Sequence, residues 1–174
     1  MSIITGRGDD GKTDLLFGRR ADKTGMRVEA LGAVDELNSA LGWARAAGLR
    51  AEMEEVVDRV QSQLVGLMGQ LACLPQDAGK YEEKGFAKLE ETDLDWLTGV
   101  AKSIEERGVK FTGWARPGAE HSMAKAGLDM ARAVARRAER RVWQLDKEEG
   151  GVSETVKLYF NRLSDLLWIM ARAA

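Results

Sequence analysis

Apolar residues recur at helical intervals over most of the chain. From about Val28, the residues Val34, Leu37, Leu41 and Ala44 follow one another at steps of 3, 4 and 3, which puts them on one helix face. A second segment, about 51–73, repeats the pattern with Met53, Val57, Val60, Leu64, Leu67, Met68 and Leu71. Thr92, with Asp95 three positions on, predicts an N-cap and a helix that ends at Gly108. A long helix is expected from about Ser122 to Lys147, stopping before Gly150 and Gly151. Ser153 caps the last one, whose stripe is Val156, Tyr159, Phe160, Leu163, Leu166, Leu167 and Met170. Residues 75–91 and 110–121 are polar and turn-rich and contain the two prolines, Pro75 and Pro117. Residues 1–27 are dense in glycine and charge with little periodicity, so they read as irregular.

Five amphipathic helices and scarce strand alternation predict an all-α five-helix bundle with a four-helix-bundle-like core and an irregular N-terminal segment. A chain of 174 residues suits one domain over 1–174, with 1–27 as a loop and 28–174 as the bundle. A core of that size buries about 70% of the unfolded surface. No apolar run approaches the ~18 residues of a membrane span. The N-terminus lacks the apolar core of a signal peptide, so a cytoplasmic protein is expected. Cys73 and His121 each stand alone, which excludes an internal disulfide and multi-cysteine or multi-histidine metal sites. The net charge of −2 gives no general reason to expect nucleic acid as partner, so any anion site must come from local clustering.

Two such clusters exist. Residues 6–13, Gly-Arg-Gly-Asp-Asp-Gly-Lys-Thr, spell the phosphate-loop pattern G-x-x-x-x-G-K-T. That pattern works where a buried strand delivers the loop to a helix N-terminus. The short run before Gly6, the missing βαβ units and the two aspartates all argue against that fold here. In the long helix, Arg132, Arg136, Glu139, Arg140 and Trp143 fall within about 100° of one another, and the apolar face centres roughly 145° away. Arg137 and Arg141 flank the apolar stripe. Such a strip suits a solvated surface with i, i+4 ion pairs, an arginine helix on nucleic acid, or a triphosphate gripped by guanidinium groups. Asp35 and Asn38 on the first helix, and Asn161 and Asp165 on the last, are further polar positions away from their apolar stripes.

Three blocks in this order resemble the PduO-type ATP:cob(I)alamin adenosyltransferase family: Thr5–Thr13, Arg27–Ser39, and Arg136–Val142 with Asn161–Asp165. The resemblance spans nearly the whole chain and is weakest over 75–121. It implies a helical bundle, usually a homotrimer with sites between subunits. The implied reaction is attack by Co(I) of a reduced corrinoid on the 5′ carbon of ATP, giving adenosylcobalamin and triphosphate. ATP with Mg2+ and cobalamin are then the small molecules involved. A reductase and an adenosylcobalamin-dependent enzyme are the implied partners, with no role for nucleic acid or membrane.

Residue by residue, the resemblance assigns Thr5, Gly6, Gly8, Asp9, Gly11, Lys12 and Thr13 to the triphosphate loop, and Arg136, Glu139, Arg140 and Asn161 to the ATP site. Arg132 would pair with Asp35 across the subunit boundary, so that Arg136, Arg132 and Asp35 form the catalytic set. Mg2+ would be held through the ATP phosphates, with Glu139 as the candidate protein ligand. Trp114, Phe111 and Asn38 are the candidates for contact with the corrinoid. Trp114 keeps the family's spacing of three to Pro117, while Phe111 competes for the same place and the segment down to Arg132 is about two residues longer. That altered loop leaves open a second reading, a carrier or sensor that binds ATP and adenosylcobalamin with little turnover.

Overall fold

The computed structural model describes residues 4–109 and 114–173. Phe111 lies outside them. Within them the chain forms a hairpin, β1 (Lys12–Asp14) and β2 (Arg20–Asp22), followed by six helices. These are α1 (Met26–Ala46), α2 (Ala51–Ala72), α3 (Ala78–Glu83), α4 (Glu91–Glu106), α5 (Met123–Glu149) and α6 (Glu154–Ala173). The all-α bundle is as expected, with two differences. The segment 75–91 contains the short helix α3, whose single turn and a half is too brief to show a period. The supposedly irregular N-terminus pairs Lys12 with Asp22, Thr13 with Ala21 and Asp14 with Arg20 in an antiparallel ladder.

The apolar stripes read from the sequence meet in one core. Leu37, Leu41, Leu64, Leu67, Phe160, Leu163 and Leu166 are fully buried there. Each such side chain contributes ~1.5–3 kcal/mol relative to an exposed one. α5 is the central element and packs against α1 and α6, while α2 packs on α1 and α4 on α6. Ala131, Ala135 and Ala138 are fully buried small residues of α5 that leave room for its neighbours to come close. Gly127 is the tightest point, since a Cβ there would lie 2.8 Å from the Cα of Ala44.

α5 runs antiparallel to α1, and ion pairs mark the register. Arg27 meets Glu149 at 2.8 Å, Arg141 approaches Glu29 at 3.7 Å, and Arg137 pairs with Glu36. The hairpin that precedes α1 therefore lies at the end of the bundle where α5 finishes. Ser122 caps α5 by accepting the Lys125 amide at 3.2 Å, and Ser153 accepts the Val156 amide at 3.3 Å, as the sequence suggests. The cap of α4 is corrected by two residues. Glu90, not Thr92, is the N-cap and forms a reciprocal capping box with Asp93.

Candidate functional site

Five arginines crowd into residues 132–141, and they divide into two groups. Arg137 and Arg141, beside the apolar stripe, are engaged by Glu36 and Glu29 of α1. Arg132, Arg136 and Arg140, on the separate strip, form no ion pair among the described residues, nor does Glu139 between them. Arg136 and Arg140 are exposed, and Arg132 and Glu139 are half-buried. Three unneutralised guanidiniums span about 12 Å along the helix axis at 1.5 Å per residue. A cationic strip left without internal counter-ions is suited to an anionic ligand or a carboxylate from outside the chain.

Arg132 and Arg136 also line an open groove of about 600 Å3 between α4, α5 and α6. Lys102 of α4, with Arg162 and Asp165 of α6, lines the same groove. Lys102 and Arg162 were not singled out from the sequence, because each lies on an ordinary charged face until packing brings the three helices together. Asn161 is exposed on α6 and accepts from Arg162 at 3.1 Å. Asp35 is exposed on α1 and has no ion pair among the described residues, so the pairing with Arg132 is not made within one chain. Asn38 is half-buried, and its Oδ1 is a buried acceptor without a partner among the described residues.

The loop Thr5–Thr13 is a run of tight turns leading into β1. Gly6 and Gly11 have φ of 67° and 80°, which only glycine adopts without cost. The Asp9 amide donates to the Gly6 carbonyl at 3.1 Å, and the Gly11 amide to that of Gly8 at 3.3 Å. Asp10 accepts the Lys12 amide at 3.1 Å and the Arg20 guanidinium at 3.0 Å. Those bonds, the amide first, hold its carboxyl below the usual carboxylate range. The charge of Asp10 is thus answered inside the loop, which removes half of the objection that two aspartates would repel an anion.

Lys12 is exposed without an ion pair among the described residues. Lys23 folds its ammonium over the loop so closely that a Cβ on Gly8 would lie 3.0 Å from Nζ. Lys23 is a second cation that sequence spacing did not reveal, since the hairpin alone returns it to the loop. No ion pair or side-chain hydrogen bond joins residues 5–13 to the α5 strip. Loop and strip thus share no polar side-chain contact within one chain.

At the opposite end of α5, Trp114 is 90% exposed. With Lys125, Asp129 and Arg172 it lines a recess of about 320 Å3, which Asn38 does not reach. Asp129 and Arg172 form a buried ion pair at 2.9 Å that ties the end of α6 to the start of α5. Among the described residues no group of three or more His, Cys, Asp or Glu could hold a metal ion. Magnesium needs only one or two carboxylates when phosphates supply the other oxygens, so Glu139 and a triphosphate would suffice. No helix is long and apolar enough to cross a membrane among these residues.

A family model described as cobalamin adenosyltransferase matches residues 3–174. The chain is 38% identical over 178 residues to the corrinoid adenosyltransferase of Bacillus subtilis, covering 99% of this chain and 86% of that one. It is 35% identical over 173 residues to corrinoid adenosyltransferase PduO of Citrobacter freundii, covering 99% of this chain but 50% of that protein. The chain thus spans about half the length of that relative. A variant of the PduO-type ATP:corrinoid adenosyltransferase from Lactobacillus reuteri, solved with cobalamin and ATP, superposes with a TM-score of 0.85 at 30% identity. That match covers 99% of this chain and 92% of the other. A second variant of the same enzyme, complexed with ATP, gives 0.82 at 27% identity over 98% and 92%.

Proposed function

From the membership of this chain in the cobalamin adenosyltransferase family, matched over residues 3–174, we propose that it transfers the 5′-deoxyadenosyl group of ATP to the Co(I) centre of a reduced corrinoid. The observation that carries the reading is the strip Arg132, Arg136 and Arg140, which has no counter-ions among the described residues, beside two arginines that have them. In the reaction a Co–C bond forms as the C5′–O bond breaks, and the electron pair leaves with triphosphate. The corrinoid supplies the nucleophile, so no serine, cysteine or histidine is required of the protein. Its tasks are to align C5′ with cobalt and to stabilise charge on the departing triphosphate.

Lys12 and Lys23, with the Thr5 and Thr13 hydroxyls, take the phosphates, and Glu139 would be the protein carboxylate for Mg2+, which would supply positive charge to the triphosphate. Arg136 and Arg140 stabilise the leaving group, and Asn161 orients the nucleotide. Trp114 packs on the corrinoid. Because loop and strip share no polar contact within one chain and Arg132 and Asp35 do not pair there, the site is assembled between subunits of a homotrimer, where Asp35 of a neighbour meets Arg132. A Co(I) corrinoid needs a reductase to supply it and a reducing compartment, which fits the cytoplasm.

An anaerobic assay with ATP, Mg2+ and chemically reduced cobalamin tests this by following loss of the Co(I) absorbance. ATP-dependent decay with release of one triphosphate per adenosylcobalamin is expected. No turnover with cobalamin or its biosynthetic precursors would overturn the assignment. Tight binding of ATP and corrinoid without product would instead establish a carrier or sensor.

A further inference from the structure

The loop that carries Lys12 reaches the bundle through few contacts. Its hairpin is three residues per strand, and Leu15 is its one buried apolar side chain. Beyond Leu15 the turn makes one polar and one aromatic attachment. Arg19 donates from Nε to Asp77 Oδ2 at 2.7 Å and from Nη2 to Oδ1 at 3.1 Å. Lys80 donates to the same Oδ1 at 2.7 Å. Phe17, held at φ of 56°, stacks on Phe86 with ring centroids 6.2 Å apart, and Lys80 lies 5.8 Å from the Phe17 ring.

Asp77 is 1% exposed, whereas Arg19 is partly open to solvent. A carboxylate so buried, at the join between the Pro75–Asp77 turn and α3, is costly unless its oxygens are fully bonded. Both of its partners lie beside the hairpin, one on it and one against its aromatic tip. The bidentate geometry fixes the plane of the guanidinium as well as its distance. Arg19 follows the turn of the hairpin directly, and its carbonyl accepts the Leu15 amide at 2.7 Å. Its placement therefore sets the strand in which Lys12 and Thr13 lie, and β2, which leads to Lys23.

We propose that Asp77 is a positioning residue for the phosphate loop: through Arg19 it fixes the β1–β2 hairpin, and with it Lys12, Thr13 and Lys23, against the bundle. The proposal rests on the functional reading above for its ligand, the triphosphate of ATP. Asp77 touches no substrate and acts through Arg19. Its effect falls on ATP and not on the corrinoid, because the Asp77–Arg19 pair holds the hairpin that carries the phosphate ligands, whereas Trp114 lies on a segment that the pair does not touch.

The full-length protein with Asp77→Asn, Asp77→Glu and Arg19→Gln is the test, with two readouts. Steady-state kinetics should show KM for ATP raised about tenfold or more in Asp77→Asn and Arg19→Gln. KM for cobalamin should stay within about twofold, and Asp77→Glu should recover part of the loss. Hydrogen exchange of the free protein should quicken at the amides of 12–22 while those of α1 and α5 keep their protection. Arg19→Gln sits on the open side of the pair, so it answers the question even where Asp77→Asn folds poorly. Wild-type KM for ATP in Arg19→Gln, or hairpin exchange unchanged in it, overturns the proposal. So does an equal loss for both substrates, which marks a general structural role. A wild-type protein that neither binds nor uses ATP overturns the functional reading, and the phosphate role of Asp77 with it. Exchange at 12–22 then shows separately whether the anchor exists.

Discussion

Arg136 stands near the middle of the unneutralised strip and borders the groove between α4, α5 and α6. Truncating a charge that meets triphosphate removes stabilisation realised as the leaving group departs. Arg136→Ala is expected to cost ~2–5 kcal/mol in transition-state binding, a fall in kcat/KM of about 30-fold or more. A variant within about threefold of wild type in the Co(I) assay would contradict the role. Asp77 carries a pH prediction of its own. Hydrogen bonds from Arg19 first, then Lys80, push its carboxyl well below the usual carboxylate range. A depressed folded value adds stability that is fully present above the unfolded value of about 3.9 and is lost as pH falls below it. Asp77→Asn should therefore lower the urea midpoint at pH 7, and its deficit relative to wild type should shrink as pH falls below about 4. A deficit that stays constant from pH 7 to pH 3 would remove the ion pair as its cause.

Among the elements, α5 bears most of the design, and its two faces answer to different demands. The apolar face must come close to α1, and Gly127 against Ala44 sets the limit. Alanine at 127 would gain about 1 kcal/mol in helix propensity. The added Cβ would meet backbone, which cannot swing aside, and overpacking costs ~1–3 kcal/mol. Gly127→Ala is thus expected to be destabilising on balance, read as a lower urea midpoint with an unchanged slope. Equal or higher stability would show that the helices can separate freely there. The boundaries of α5 and α6 were legible in the sequence because Ser122 and Ser153 cap through their own hydroxyls. The start of α4 was displaced because Glu90, a less common cap, does the work through Asp93. Helix α3 and the hairpin were not legible at all, since neither is long enough to reveal a period.

For the molecule as a whole, the loop and the strip share no polar contact in one chain, and the proposed site joins them between neighbours. Mixing tests this directly: a Lys12→Ala protein spoils the loop and an Arg136→Ala protein spoils the strip. Refolded together in equal amounts, they should regain activity at the interfaces that pair an intact loop with an intact strip, about a quarter in a randomly mixed closed ring. No recovery from the mixture, with each parent inactive and the subunits shown to exchange, would place the site within one subunit. The bundle was legible along the chain, because helical periodicity is local and repeats often enough to be counted. The charge of the strip and the backbone freedom of the loop were legible as well, since arginine, lysine and glycine carry these wherever they stand. Which arginines are engaged was settled by packing, which pairs Arg137 and Arg141 with carboxylates one helix away. It likewise brought Asp77 to Arg19 across 58 residues and folded Lys23 over Gly8. Such pairings depend on distances between elements, and no spacing along a chain encodes a distance across it.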